Sequence, residues 1–285
     1  MKTRNILVPI DFGKESKAGL ATAIDIASQI NAKIHLLHII DESRPSDFQP
    51  DADMIAKEAN ENRHEHFMVE LIGKKNQQLQ SLITNYDFGE LEVLSNIEFG
   101  KYDETIERFL SKNPIDLIVM GTTGETNIYE WFTGNHATQT VRLAEVPVLA
   151  VKDYQSIGLQ SNLLLMVELK DYSKEAIRSI SQFATLLDMN VHIVYIKTHA
   201  GLISDNVSEH IKTFAKNNNF KKFTTSVAEI DGDLDQINTL AKRVSADVIA
   251  CVSEGDSGLI RFIFGSDTEK ILNETNLPVL AVSDK

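Results

Sequence analysis

Two short stretches of this 285-residue chain carry residue types suited to holding an anionic ligand. The first is Val8-Pro9-Ile10-Asp11, where a carboxylate closes an apolar run. The second is Met120-Gly121-Thr122-Thr123-Gly124, followed after nine intervening residues by Gly134-Asn135. Glycines let backbone amides approach a ligand closely, and a helix starting beyond them offers unpaired N–H groups and positive potential. That combination suits a phosphate, and the Asp11 carboxylate suits a ribose hydroxyl. The same residues also have a structural reading. Glycines after strands are common in turns. Asn135, and Ser266 later in the chain, stand where helix N-caps belong. Ser266-Asp267-Thr268-Glu269 further spells a capping box. Spacing alone leaves ligand binding and capping both open.

Other chemistries have less to work with. There is no G-x-x-x-x-G-K-[ST] and no G-x-G-x-x-G; Gly13-Lys14 lacks the upstream glycine and the following hydroxyl residue. No nucleophile elbow, H-E-x-x-H or paired Cys/His motif is present. His64 and His66 are two apart, a spacing that points to different faces of a helix and gives solvated surface, not a metal pair. The single cysteine, Cys251, lies in the apolar run Val248–Val252, which marks it as a buried small hydrophobe and excludes a disulfide framework.

The elements that must position these residues occur twice. Pro147–Val151 and Pro278–Val282 both contain Val-Leu-Ala-Val after proline, at an offset of 131 that also matches Gly134 to Gly265, Asp116 to Asp247 and Glu98 to Glu229. Earlier in the chain an offset of 157 matches Asn5 to Asn162, and runs without a gap from Ser16/Ser173 to Ile39/Ile196. The offsets differ by 26, the extra residues of the first copy between about Asp41 and Leu91. A period this long is a duplicated domain. Asp11 and Glu168 are thus counterparts in separate halves, not an acid/base dyad.

In the first half the apolar runs are Ile6–Ile10, Ile34–Ile40, Leu91–Ile97, Leu117–Met120 and Val146–Val151. In the second they are Leu163–Val167, Val191–Ile196, Phe223–Val227, Val248–Val252 and Pro278–Val282. Continuous runs predict strands covered on both faces. Glu15–Ile30 and Ser173–Leu187 have apolar residues at helical spacing. Each half therefore reads β-α-β-α-β-α-β-α-β, an α/β fold with a doubly wound parallel sheet. The domains span residues 1–153 and 161–285, joined by the polar linker Asp153–Gln160. The insertion extends the second helix of the first half over about 51–84, beginning after Pro50. His35 and His192 are counterparts on the second strands, read as structural residues at the join between the halves.

The bulk numbers limit the partners. A net charge of −13 argues against nucleic-acid binding, which needs a basic surface. No apolar stretch reaches 18 residues, so no membrane span is expected. The start of the chain lacks a signal-peptide core, and the expected location is the cytoplasm.

On Ile6–Asp11, Ser16, Leu36–Ile40, the glycine series and the repeated P-V-L-x-V strand, the chain resembles a tandem universal stress protein. The resemblance covers both halves apart from the inserted helix. It implies the adenine nucleotide α-hydrolase-like fold, with five parallel strands per domain and the domains paired through their last strands. It also implies a site for ATP or a related adenine nucleotide, with Mg²⁺, in the first domain. Ile39 and Met120 would flank the adenine and Asp11 would stand at the ribose, with Pro9 also among the implied site residues. The amides of Gly121, Gly124 and Gly134 would hold the phosphates beside Asn135. The family's signature is G-x2-G-x9-G-[S/T]. Here the first half keeps every glycine but has Asn135 for the hydroxyl residue. The second half keeps Gly255, Gly265 and Ser266 but has Val252 for the first glycine, Glu168 for the aspartate, and Asp267 beside the phosphate position. The second copy is therefore read as degenerate.

The function implied is a non-catalytic sensor or scaffold with an unidentified protein partner, and tandem chains that associate further. Slow ATP hydrolysis would need a general base, for which His136 is the nearby candidate. The rival reading is a nucleotide-free interaction module.

Overall fold

Strands with apolar side chains on both faces must be covered by helices on both sides, and βαβ crossovers achieve this while keeping the strands parallel. The computed structural model shows that outcome. It describes residues 4–40, 63–122, 136–167, 172–197, 207–229, 234–253 and 277–284. Gly124, Trp131, Gly134, Asn135, Glu168, Gly255, Gly265, Ser266 and Asp267 lie outside the described residues, as does the expected start of the inserted helix.

The first half runs β1 (Arg4–Pro9), α1 (Lys14–Ile30), β2 (Ala32–Ile40), α2 (Arg63–Asn85), β3 (Val93–Phe99), α3 (Tyr102–Lys112), β4 (Leu117–Gly121), α4 (His136–Leu143) and β5 (Val148–Val151). The second repeats the order with β6 (Asn162–Val167), α5 (Lys174–Leu186), β7 (Asn190–Lys197), α6 (Val207–Asn217), β8 (Phe223–Glu229), α7 (Leu234–Arg243), β9 (Val248–Ser253) and β10 (Val279–Ser283). All ten apolar runs became strands. The inserted helix ends at Asn85, one residue beyond the expected end at about 84.

The strands form one ten-stranded sheet in the order β3-β2-β1-β4-β5-β10-β9-β6-β7-β8. Every neighbouring pair is parallel except β5 and β10, which meet antiparallel in the middle. Each half thus supplies five parallel strands, and the last strand of one pairs with the last strand of the other. Neither terminal strand is left with an open edge, the usual liability of such strands.

Alternation along the strands sorts their side chains into two cores. Leu149, Val151, Leu280 and Val282 join α1 and α5 on one face. Val148, Ala150, Val279 and Ala281 join residues of α3, α4 and α7 on the other. Both cores run across the join, so the halves share their hydrophobic interior. Cys251 is fully buried, and burial pushes its thiol pKa up to about 12.

The histidine expectation needs correction. β2 is separated from the join by β1, β4 and β5, so His35 is nowhere near it. His35 Nε2 instead donates to Asn5 Oδ1 at 3.0 Å across β1 and β2. His192 bonds Thr224 Oγ1 at 2.7 Å and Ser226 Oγ at 2.8 Å on β8. Both histidines pin neighbouring strands, which is structural work at a different place.

The amino edge of each half carries a matching latch. The Asn5 backbone N–H donates to Asp116 Oδ2 at 2.9 Å, and its side-chain amide donates to Pro114 O at 3.0 Å. In the second half Asn162 N–H donates to Asp247 Oδ2 at 2.7 Å, and its amide to Ser245 O at 2.9 Å. Short aspartates just before β4 and β9 thus complete backbone bonding where the sheet begins.

Candidate functional site

The carboxyl ends of β2, β1 and β4 lie side by side, because these strands are neighbours and parallel. β1 pairs Pro9 with Leu37, so two residues further on Asp11 stands level with Ile39. β1 also pairs Leu7 with Ile118, which places Ile10 level with Gly121. The backbone continues this register beyond β1, with Ile10 N–H donating to Leu37 O at 2.8 Å. Pro9, Asp11, Ile39, Met120 and Gly121 are therefore brought to one edge of one sheet. Ligands of open parallel sheets bind at this edge. Met120 is buried in the α3/α4 core, and Ile39 packs against the same core, so the two share a face.

Asp11 is exposed and shapes the turn into α1. Its Oδ1 accepts the Gly13 N–H at 2.8 Å, an Asx-type turn that supports the helix start in place of a side-chain cap. Phe12, between them, is held at φ 69°, a left-handed conformation unfavourable for a bulky residue. Such strain often marks a functional turn. The Phe12 ring lies 4.6 Å from that of His38, centroid to centroid. His38 is buried and bonds Ile10 O through Nδ1 at 2.7 Å. Above Phe12, Lys75 of α2 places its Nζ 5.3 Å from the ring centroid, a cation–π distance. Sequence reasoning missed Phe12, His38 and Lys75. The left-handed turn has no sequence signal when a phenylalanine occupies it. Lys75 belongs to the insertion, which has no counterpart in the second half to compare with.

Gly121 has a packing reason to be glycine. A Cβ there would overlap the backbone of Glu15 and Ser16 at the start of α1. Gly19, one turn along, is equally tight: its Cβ would lie 2.7 Å from Gly121 N. The Gly19/Gly121 contact lets α1 cross β4 at close range and sets the helix start against the sheet edge. Beyond β4, Thr122 N–H donates to Val151 O at 2.8 Å. Lys14 meets Asp153 at 3.0 Å, an exposed pair that raises the lysine pKa and ties α1 to the linker.

Among the described residues no cluster of His, Cys, Asp or Glu could hold a metal ion. None of the described helices is long and apolar enough to cross a membrane.

A sheet of this order, with a glycine crossing and an acidic turn at one edge, defines a tandem α/β protein built from two copies of one parallel-sheet domain. The sequence model of the universal stress protein family matches residues 2–152 and again residues 161–283, and the chain belongs to that family. A universal stress protein of Methanocaldococcus jannaschii is 27% identical over 150 residues, 52% of this chain and 82% of the relative. A Staphylococcus haemolyticus relative is 28% identical over 152 residues, 52% of this chain and 84% of its own length. The fold recurs in a universal stress protein structure from Archaeoglobus fulgidus, with TM-score 0.70 and 16% identity, covering 98% of this chain and 96% of the other. A Pseudomonas aeruginosa structure aligns with TM-score 0.56 and 17% identity, covering 99% and 93%.

Proposed function

We propose that this universal stress protein binds ATP or a related adenine nucleotide in its first half and acts as a sensor or scaffold without turning the ligand over. The observation carrying this reading is the row of Asp11, Ile39 and Gly121 at one carboxyl edge of three adjacent parallel strands. Asp11 is exposed there for a ribose hydroxyl. The shared face of Ile39 and Met120 suits a flat apolar base. Gly124, Gly134 and Asn135 follow in the chain, and their amides suit the phosphates, with Mg²⁺ as counter-ion. An unidentified protein partner, and association of tandem chains, complete the proposal.

A second reading, a nucleotide-free interaction module, draws on two observations. Gly121 is required by the crossing of α1, and Asp11 already serves the Gly13 turn. Both residues would be selected without any ligand.

The two readings separate in one experiment. Purified full-length chain is denatured and the supernatant assayed for released nucleotide, then the folded chain is titrated with ATP and Mg²⁺. Binding to the native state alone raises stability by about 2.7 kcal/mol at 100 times the dissociation constant. Trp131, the only tryptophan, lies between Gly124 and Gly134 and reports occupancy by fluorescence. Gly124→Val should abolish the response and Gly255→Val should spare it. Absence of both released nucleotide and thermal shift at millimolar ATP sinks the nucleotide reading and leaves the interaction module.

A further inference from the structure

The two repeat-related histidines hold the same ladder position but turn opposite ways. His35 pairs with Leu94 across β2 and β3, and His192 pairs with Thr224 across β7 and β8. His35 is 5% exposed and reaches inward to Asn5 on β1. In the second half the counterpart of Asn5, Asn162, accepts instead from the Asn190 amide at 3.2 Å. His192 is half-buried and turns outward to β8, the last strand of the sheet. There Thr224 Oγ1 lies 2.7 Å from Nδ1 and Ser226 Oγ lies 2.8 Å from Nε2.

Pairing of the strands does not call for those hydroxyls. At the ladder positions of Thr224 and Ser226 the first half has Leu94 and Asn96, and β2 still pairs with β3 from Ile34–Val93 to Ile40–Phe99. The three side chains do form the order that a nucleophilic serine needs. With Nδ1–H donating to Thr224 Oγ1, the lone pair of Nε2 accepts the Ser226 O–H. Burial, and then the charge of Arg243, lower the His192 pKa, which keeps the ring in its proton-accepting form at neutral pH. Thr224 is exposed and Ser226 part-exposed, so a small molecule can reach Oγ.

We propose that Ser226 is a self-acylating serine, taking the acyl group of a small activated ester with His192 as general base and Thr224 positioning the ring. Oγ attacks the ester carbonyl carbon while Nε2 takes the Oγ proton. The bond from that carbon to the leaving oxygen then breaks, and the imidazolium returns the proton to it. Acyl-Ser226 and a free alcohol result. The strand supplies a donor for the oxyanion. Val191 N–H donates to Lys222 O, so the backbone groups of Thr224 and Ser226 also turn toward β7 and those of Thr225 and Val227 turn outward. Val227 N–H, next after the nucleophile, thus faces the open edge beside Oγ. This site lies in the other half of the sheet from Asp11 and Gly121 and does not rest on nucleotide binding.

The test treats the full chain with p-nitrophenyl acetate and locates the acetyl group by peptide mass spectrometry. Acetylation should fall on Ser226, with matching release of p-nitrophenolate, and Ser226→Ala should abolish it. His192→Ala should slow it by about 100-fold, the usual contribution of a general base. Free imidazole should restore part of that rate, which a purely structural histidine would not allow. His192→Gln, a milder change for the fold, should be as slow as His192→Ala. Thr224→Ser should keep the parent rate and Thr224→Val should lose it. The proposal is overturned by acetyl groups on lysines with Ser226 unmodified, or by an unchanged Ser226 rate in the His192 variants. Failure of imidazole to rescue a folded His192→Ala chain, or equal rates in the two Thr224 variants, would equally overturn it.

Discussion

Leu149 and Leu280 face each other across the antiparallel pair β5 and β10, and each is the repeat counterpart of the other. The pseudo-two-fold axis relating the halves passes between them. Ala150 pairs with Val279 and Val148 with Ala281, symmetric about that centre. Both leucines are fully buried in the core shared by α1 and α5.

Truncating this contact should be costly. Leu149→Ala is expected to lower stability by about 2–5 kcal/mol, the range for a buried leucine left as a cavity. Leu149→Pro should do worse, because β5 lies between β4 and β10 and proline removes a ladder donor. Denaturant unfolding checks the first, and size-exclusion chromatography the separation of the halves in the second. An Leu149→Pro chain as stable and compact as the parent would show that the central pairing does not hold the halves together.

Gly121→Ala tests packing apart from ligand binding. The new Cβ must displace the α1 backbone at Glu15 and Ser16. Overpacking of this kind typically costs about 1–3 kcal/mol, more where backbone must move. The loss should appear in urea unfolding without added nucleotide. Asp11→Asn, which can still accept from Gly13 N–H, should leave unfolding nearly unchanged while weakening any nucleotide response. Equal stability of Gly121→Ala and parent would mean the α1–β4 crossing relaxes more easily than the geometry implies.

The amino-edge latches should behave as a matched pair. Asp116→Ala and Asp247→Ala each strip an acceptor from a part-buried backbone N–H, of Asn5 and Asn162. Leaving such a donor unsatisfied costs about 1–3 kcal/mol. Thermal melts of the two variants should shift in the same direction by similar amounts. A large loss from one and none from the other would break the equivalence.

Stability should also fall on acidification. Burial, reinforced by Lys33 and opposed by Glu92, holds the His35 pKa below its usual 6.5. Burial and then Arg243 lower that of His192. The unfolded chain therefore binds more protons below pH 6.5 than the folded one, so stability rises with pH through that window and is fully present above it. The melting temperature should drop on going from about pH 7.5 to 5.5, where free histidine titrates. His35→Gln, which can still donate to Asn5, should flatten that dependence. An unchanged slope would assign the effect to other groups.

Much of the fold could be read directly from the chain. The apolar runs became strands because βαβ packing buries both faces, and Pro147–Val151 and Pro278–Val282 announced the paired strands at the centre. The placement of Asp11 and Gly121 at the same edge of the sheet follows from parallel connectivity alone. Less legible was the reason for Gly121, since a glycine demanded by a crossing helix and one demanded by a ligand look alike in sequence. The Phe12 turn, the ring of His38 and the approach of Lys75 arise from tertiary geometry that no local pattern encodes. His35 and His192 were correctly matched but misplaced, because the strand order, not the sequence order, sets their distance from the centre.

Because one covalent chain supplies both β5 and β10, their encounter is intramolecular. Effective concentration, rather than the amount of protein present, governs it. Dilution cannot part the halves, and no exchange with mismatched partners can occur. A substitution in one half is also never forced upon the other, as it would be between identical subunits. The sheet can thus keep its symmetry while its two sets of loops evolve under different demands.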